Sequence, residues 1–171
     1  MFDLALSIVF KEVTTSIRSN SARVVSQLVS CFARADPSKT LAKFFPLCAL
    51  NIRLELESGA SATRTTTTHT PIESDTSLHW WTGLLTGALT NAGEAILRHR
   101  EELVDLLKLM VASCKSERGY TTTGKVLAVC LMSLTSVQIK DYRSANAEEW
   151  NSHGQPTFVV LQQGWVADLL E

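Results

Sequence analysis

A chain of 171 residues with 45% apolar content is long enough to bury one hydrophobic core. Its 16 basic and 17 acidic residues leave a formal charge of −1, which implies no broad pull toward nucleic acid or an anionic membrane surface. No apolar run approaches the roughly 18–20 residues that a bilayer crossing needs, and Met1-Phe2-Asp3-Leu4 has neither a basic n-region nor a small-residue cleavage site, so no membrane span or secretory signal is expected.

Leu6, Val9, Phe10, Val13 and Ile17 recur at helical spacing and form the first apolar stripe. Asn20 is placed to cap a second helix, whose stripe is Val25, Leu28, Val29 and Phe32. Asp36-Pro37 marks the start of a third. The carboxylate can accept from orphan backbone N–H groups, and proline at the first helical position gives up a donor that had no partner. This helix carries Leu41, Phe44, Phe45, Cys48 and Ile52, and Pro46 inside it should kink or interrupt it. The stretch Ile52–Glu57 alternates as a strand would. A helical continuation is preferred, because no partner strand appears elsewhere.

From Ser58 to Ser74 the composition shifts to small and β-branched polar residues with Gly59 and Pro71, which predicts a threonine-rich loop over 59–74. Asp75 is then expected to cap a helix with Leu78, Trp81, Leu84, Leu85, Ala88 and Leu89 on one face. Adjacent helical positions point about 100° apart. Trp81 therefore shares the core face, while Trp80 covers a neighbouring helix or marks a partner surface. Gly83 and Gly87, four apart, read as a site where two helices approach closely. Asn91-Ala92-Gly93-Glu94 matches a capping box opening the longest helix, with Ile96, Leu103, Leu107 and Met110 as its stripe. Gly119 reads as a left-handed stop, and Thr121-Thr122-Thr123 as the opening of a last helix bearing Val126, Leu127, Cys130, Leu131 and Leu134. Beyond Gln138 the period fades. The reading is all-α: an α-solenoid of HEAT-like antiparallel helix pairs over 1–136, and an irregular, non-native-looking tail over 137–171.

Catalytic chemistry finds no foothold in this pattern. His69, His79, His99 and His153 are scattered, and none stands at a metal-ligand spacing from another His, a Cys or a carboxylate. His99 lies among Arg98, Arg100, Glu101 and Glu102, as on a solvated outer face. The four cysteines, Cys31, Cys48, Cys114 and Cys130, sit far apart in apolar stretches, as buried free thiols of a reducing compartment do. No glycine elbow precedes a nucleophile and no glycine-rich phosphate loop is present. No catalytic, cofactor-binding or metal-binding residue is assigned, and no cofactor is expected.

Three longer strings carry a resemblance. They are Asn51-Ile52-Arg53-Leu54-Glu55-Leu56-Glu57-Ser58-Gly59-Ala60 running into Thr63-Arg64-Thr65-Thr66, then Leu103-Val104-Asp105-Leu106-Leu107-Lys108-Leu109. The third is Ser116-Glu117-Arg118-Gly119-Tyr120-Thr121 with Gly124-Lys125-Val126-Leu127, Leu134-Thr135-Ser136 and Glu148-Glu149-Trp150-Asn151-Ser152. Over roughly residues 40–152, the chain resembles the middle region of the large HEAT-repeat proteasome activators, the family of proteasome activator complex subunit 4 and its fungal counterparts. The resemblance implies an ATP-independent cap on the 20S core particle. Such a cap promotes ubiquitin-independent degradation of peptides and of unfolded or acetylated proteins, in nucleus and cytoplasm, with links to DNA repair. It implies no catalytic residue, no direct nucleic-acid contact and no membrane. The family docks through a C-terminal tail with a penultimate tyrosine. This chain ends Asp168-Leu169-Leu170-Glu171, so docking is not assigned to it, and the chain reads as a fragment of a larger shell. The alternative class is a general HEAT or armadillo-type scaffold for protein interaction or transport.

Overall fold

The stripes fold as helices, except that Ile17 lies beyond the end of the first helix. A computed structural model describes residues 1–17, 21–62 and 73–135. Among these lie α1 (Phe2–Thr15), α2 (Ala22–Ala35), α3 (Pro37–Glu57), α4 (Glu73–Leu89), a 3-10 segment (Gly93–His99), α5 (Arg100–Ser113) and α6 (Glu117–Thr135), with no strand among the described residues. The helices pair antiparallel and stack in two layers, the all-α HEAT-like solenoid expected from the periodicity. One layer holds α2, α4 and α6 side by side. The other holds α1, α3 and α5 with the 3-10 segment, and α4 also packs across the layers on α3.

Between the layers runs one continuous core, which includes Val29, Leu41, Phe44, Phe45, Ile52, Leu84, Leu85, Leu103, Leu107, Met110 and Val126. Phe10 meets Phe44 edge-on with ring centroids 5.2 Å apart, fixing α1 on α3. Asp36 caps α3 as read, its Oδ1 accepting from the Lys39 N–H at 3.0 Å, with Pro37 at the first turn. The alternating stretch at Ile52–Glu57 is the helical end of α3, with Ile52 and Leu56 buried and Leu54 turned outward.

Several local readings need correction. Of the kink or interruption expected at Pro46, the interruption does not occur: α3 runs through it for 21 residues and is the longest helix among those described. Pro46 and Ala42 are both exposed, so the missing i→i−4 bond falls on the side that water can serve. Asp75 lies inside α4, which starts at Glu73, and therefore does not cap it. Of the 59–74 loop, 59–62 forms a turn, 73–74 are helical, and the rest lies outside the described residues, as do Asn20 and the 137–171 tail. Ser21 holds the cap position of α2 without a side-chain bond. Ile17 and Leu28, expected in stripes, are 45% and 41% exposed.

The capping box at Asn91 does not form. Asn91 and Gly93 take left-handed φ values of 63° and 51°, and the Gly93 N–H donates to Ser133 Oγ of α6 at 2.8 Å. A tertiary partner thus replaces the local cap, and the chain runs as 3-10 turns until α5 begins at Arg100. Gly119 is likewise no stop. Ser116 Oγ accepts from the Gly119 N–H at 3.0 Å and starts α6 there, so the threonine cluster lies within the helix. A Cβ on Gly119 would overlap the Ser61 hydroxyl and stand 3.0 Å from Cys114 Cβ. Close approach explains this glycine.

Candidate interaction surfaces

Indole, imidazole and thiol groups are the side chains whose placement decides what such a stack can do. Trp80 and Trp81 are both buried, at 2% and 5% exposure. Trp81 faces the core as expected. Trp80 covers a neighbouring helix, and its Nε1–H donates to the Val13 carbonyl at 3.1 Å. That carbonyl belongs to the last turn of α1, whose acceptors have no donor within the helix. One side chain of α4 thereby closes the end of α1.

His99 is not solvated surface. It is half-buried with its ring 4.7 Å from Phe45, a packing partner that the neighbouring charges concealed. His79, on α4, has a buried Nδ1 without a hydrogen-bond partner. Its pKa is lowered first by burial and then by the positive charges of Arg118 and Lys125. His69 and His153 lie outside the described residues. Cys48, Cys114 and Cys130 are buried free thiols, while Cys31, expected buried, faces solvent. Burial raises the Cys48 thiol strongly and pushes Cys130 up to about 12, so both stay protonated near neutral pH. Among the described residues no group of three His, Cys, Asp or Glu could hold a metal ion.

A second feature escaped the sequence. Ser61 is buried with φ 63°, its carbonyl accepting from both the Lys115 and Ser116 N–H groups at 2.8 and 2.9 Å. Its hydroxyl meets that of Ser116 at 2.7 Å. This knot ties the chain leaving α3 to the α5–α6 corner. Only a serine following Gly59-Ala60 hinted at a turn there.

Apolar side chains also remain outside the core. Leu4 and Ile8 on α1, one turn apart, are 65% and 61% exposed. Val24 and Leu28 repeat that spacing on α2, and Val111, Tyr120 and Met132 are exposed on α5 and α6. The first and last helix pairs thus carry apolar residues that the described neighbours leave open, as does α3, where Leu50 and Leu54 are 55% and 53% exposed. A stacked array presents such edges to adjacent repeats.

Comparison with known proteins gives this stack its family. No solved structure matches the chain. The chain is similar to proteasome activator complex subunit 4A of Danio rerio, at 27% identity over 146 residues that make up 84% of this chain. They are only 8% of the relative, so this chain spans a small part of that protein's length. The model of the proteasome activator complex subunit 4 mid HEAT repeats region matches residues 1–165, a wider span than the 40–152 carried by the sequence strings. With a two-layer helical stack beneath that match, the chain belongs to the proteasome activator complex subunit 4 family, in its middle HEAT-repeat region.

Proposed function

We propose that this chain forms part of the HEAT-repeat shell of an activator that caps the 20S core protease. The family match over residues 1–165 carries this reading. In it, the shell acts without ATP and without catalytic residues of its own. Binding shifts the gate of the core particle toward its open arrangement, a population shift driven by differential affinity. Peptides and unfolded or acetylated proteins then enter without ubiquitin, in the nucleus and cytoplasm, with a role in DNA repair. The exposed apolar residues Leu4, Ile8, Val24 and Leu28 suit this reading, because each helix of the first pair offers a ridge on which another repeat can stack.

The test uses the full-length protein that contains this stretch, tagged and purified from its own cells. Co-purification of 20S particles, with a several-fold rise in their hydrolysis of fluorogenic peptides, is the expected result. Recovery of a cargo protein, without 20S particles and without stimulation, would replace this reading with that of a transport scaffold.

A further inference from the structure

The outer surface of the α2–α4–α6 layer is not flush. Along α4, short side chains that include Thr82 and Thr86 floor a groove of about 350 Å3, with His79 at its side, and α2 and α6 form its walls. The floor hydroxyls are already engaged: Thr82 donates to the Leu78 carbonyl and Thr86 to the Thr82 carbonyl, each at 2.7 Å. What stands available is on the walls. Arg23 and Gln27 project from α2 and Lys125 from α6, all three exposed. Neither cation is in an ion pair among the described residues, and no carboxylate lines the groove. Two cations on opposite walls of one groove, with no carboxylate between them and a chain net charge of −1, make a local positive field over a largely apolar floor. His79 at its side has its pKa lowered first by burial and then by the positive charges of Arg118 and Lys125, so one of the two wall cations also acts on it.

The span of the groove narrows the choice of anion. Packed helices stand about 8–10 Å apart, so α2 and α6 flank α4 at roughly 16–20 Å. At that separation a single tetrahedral anion meets both cations only when the Arg23 and Lys125 side chains both reach inward over the floor. An extended polypeptide advancing about 3.3 Å per residue brings successive carboxylates to each. The Gln27 amide can both donate to and accept from a peptide backbone.

We propose that this groove docks an acidic polypeptide segment, with carboxylates meeting Arg23 on one wall and Lys125 on the other. The proposal stands on the groove alone and does not require the proteasome reading.

Fluorescence anisotropy with the full 171-residue chain tests it, using a labelled oligoglutamate peptide against its Gln counterpart. The Glu peptide should bind more tightly, and its affinity should fall as NaCl is raised. Arg23→Gln and Lys125→Gln should each weaken binding about two- to fivefold, and the pair by about tenfold, as exposed charge contacts do. Arg23→Lys should retain most of the affinity, and because both cations are exposed the melting curves should not move. Bound peptide should also raise the His79 pKa, read from its imidazole NMR shifts. Equal binding of the Gln peptide, or unchanged binding by the double variant, overturns the proposal. So does tight binding of inorganic tripolyphosphate that displaces the peptide, since that would mark a phosphate site.

Discussion

Gly87 of α4 lies against the backbone of α2, and a methyl group there should push the two helices apart. A Cβ built on Gly87 overlaps the carbonyl oxygen of Ser26 and stands 3.1 Å from its carbonyl carbon and Cα. These are backbone atoms of α2, so no rotamer change relieves the overlap. Either α2 or α4 must shift, and overpacking of this kind costs about 1–3 kcal/mol. Against this, replacing glycine by alanine inside a helix returns about 0.8–1 kcal/mol. The net expectation for Gly87→Ala is a loss of about 0–2 kcal/mol, or up to roughly 8 °C in Tm for a chain of this size, where Gly124→Ala gains. Two other glycines provide the scale. A Cβ at Gly124 in α6 meets nothing within 4 Å, so Gly124→Ala should stabilise by about 0.5–1 kcal/mol. At Gly83 the nearest atom is the Ala22 carbonyl oxygen at 3.7 Å, an ordinary contact, so Gly83→Ala should fall close to Gly124→Ala. Urea and thermal unfolding followed by far-UV circular dichroism give the three values. A Gly87→Ala protein as stable as the Gly124→Ala one would refute the close approach of α2 and α4.

Trp80→Phe removes the donor that closes α1 and leaves the Val13 carbonyl unpaired; a loss of about 1–3 kcal/mol is expected in the same unfolding assay. Ser116→Ala removes both the α6 cap and the hydroxyl contact with Ser61, and should cost about 1–2 kcal/mol. His79 has a folded-state pKa below its ordinary 6.5, so its neutral form favours the fold. Its contribution is present above the unfolded value and is lost as pH falls from 6.5 through the lower folded value, so His79→Gln should flatten stability against pH in that acid window. Cys31 should react with an aromatic disulfide reagent in the native chain, while Cys48 and Cys130 react only on unfolding; native modification of all of them would contradict their burial.

Periodic burial was legible in the sequence because it repeats. Leu41, Phe44, Phe45, Cys48 and Ile52 recur at helical spacing, and one polar substitution would not hide that face. Asp36-Pro37 was legible because its cap bond is local, closing on Lys39 three residues on. The failures share the opposite property. At Gly93 the backbone donor turns to Ser133, forty residues away, and no local rule anticipates that partner. Gly119 resembles a helix stop until Ser61 and Cys114 are seen packed against it. His99 looks solvated among its charged neighbours in the chain, but its ring lies on Phe45 from another helix. The groove was illegible for the same reason. Arg23, Gln27 and Lys125 come from two helices about a hundred residues apart, and only the packing of both on α4 brings them to one cleft.

The two layers are filled by different side chains, and that difference bears on how a longer stack would run. Between α2 and α4 the contact is made by Gly87 against the Ser26 backbone, with Gly83 beside Ala22. In the other layer α1 and α3 are held apart by the Phe10–Phe44 ring pair and by long polar reach, Lys43 Nζ donating to Ser7 Oγ at 2.7 Å. Small residues bring helix axes together and large ones separate them. When one layer of a repeat array is spaced more tightly than the other, each repeat rotates slightly against the next, and the array curves toward the tight layer. By this argument the α2–α4–α6 side is the concave one, which is also the side that carries the cationic groove. Gly87→Ala would then do more than lower stability. It would widen the tight layer and reduce the turn per repeat of the described stack.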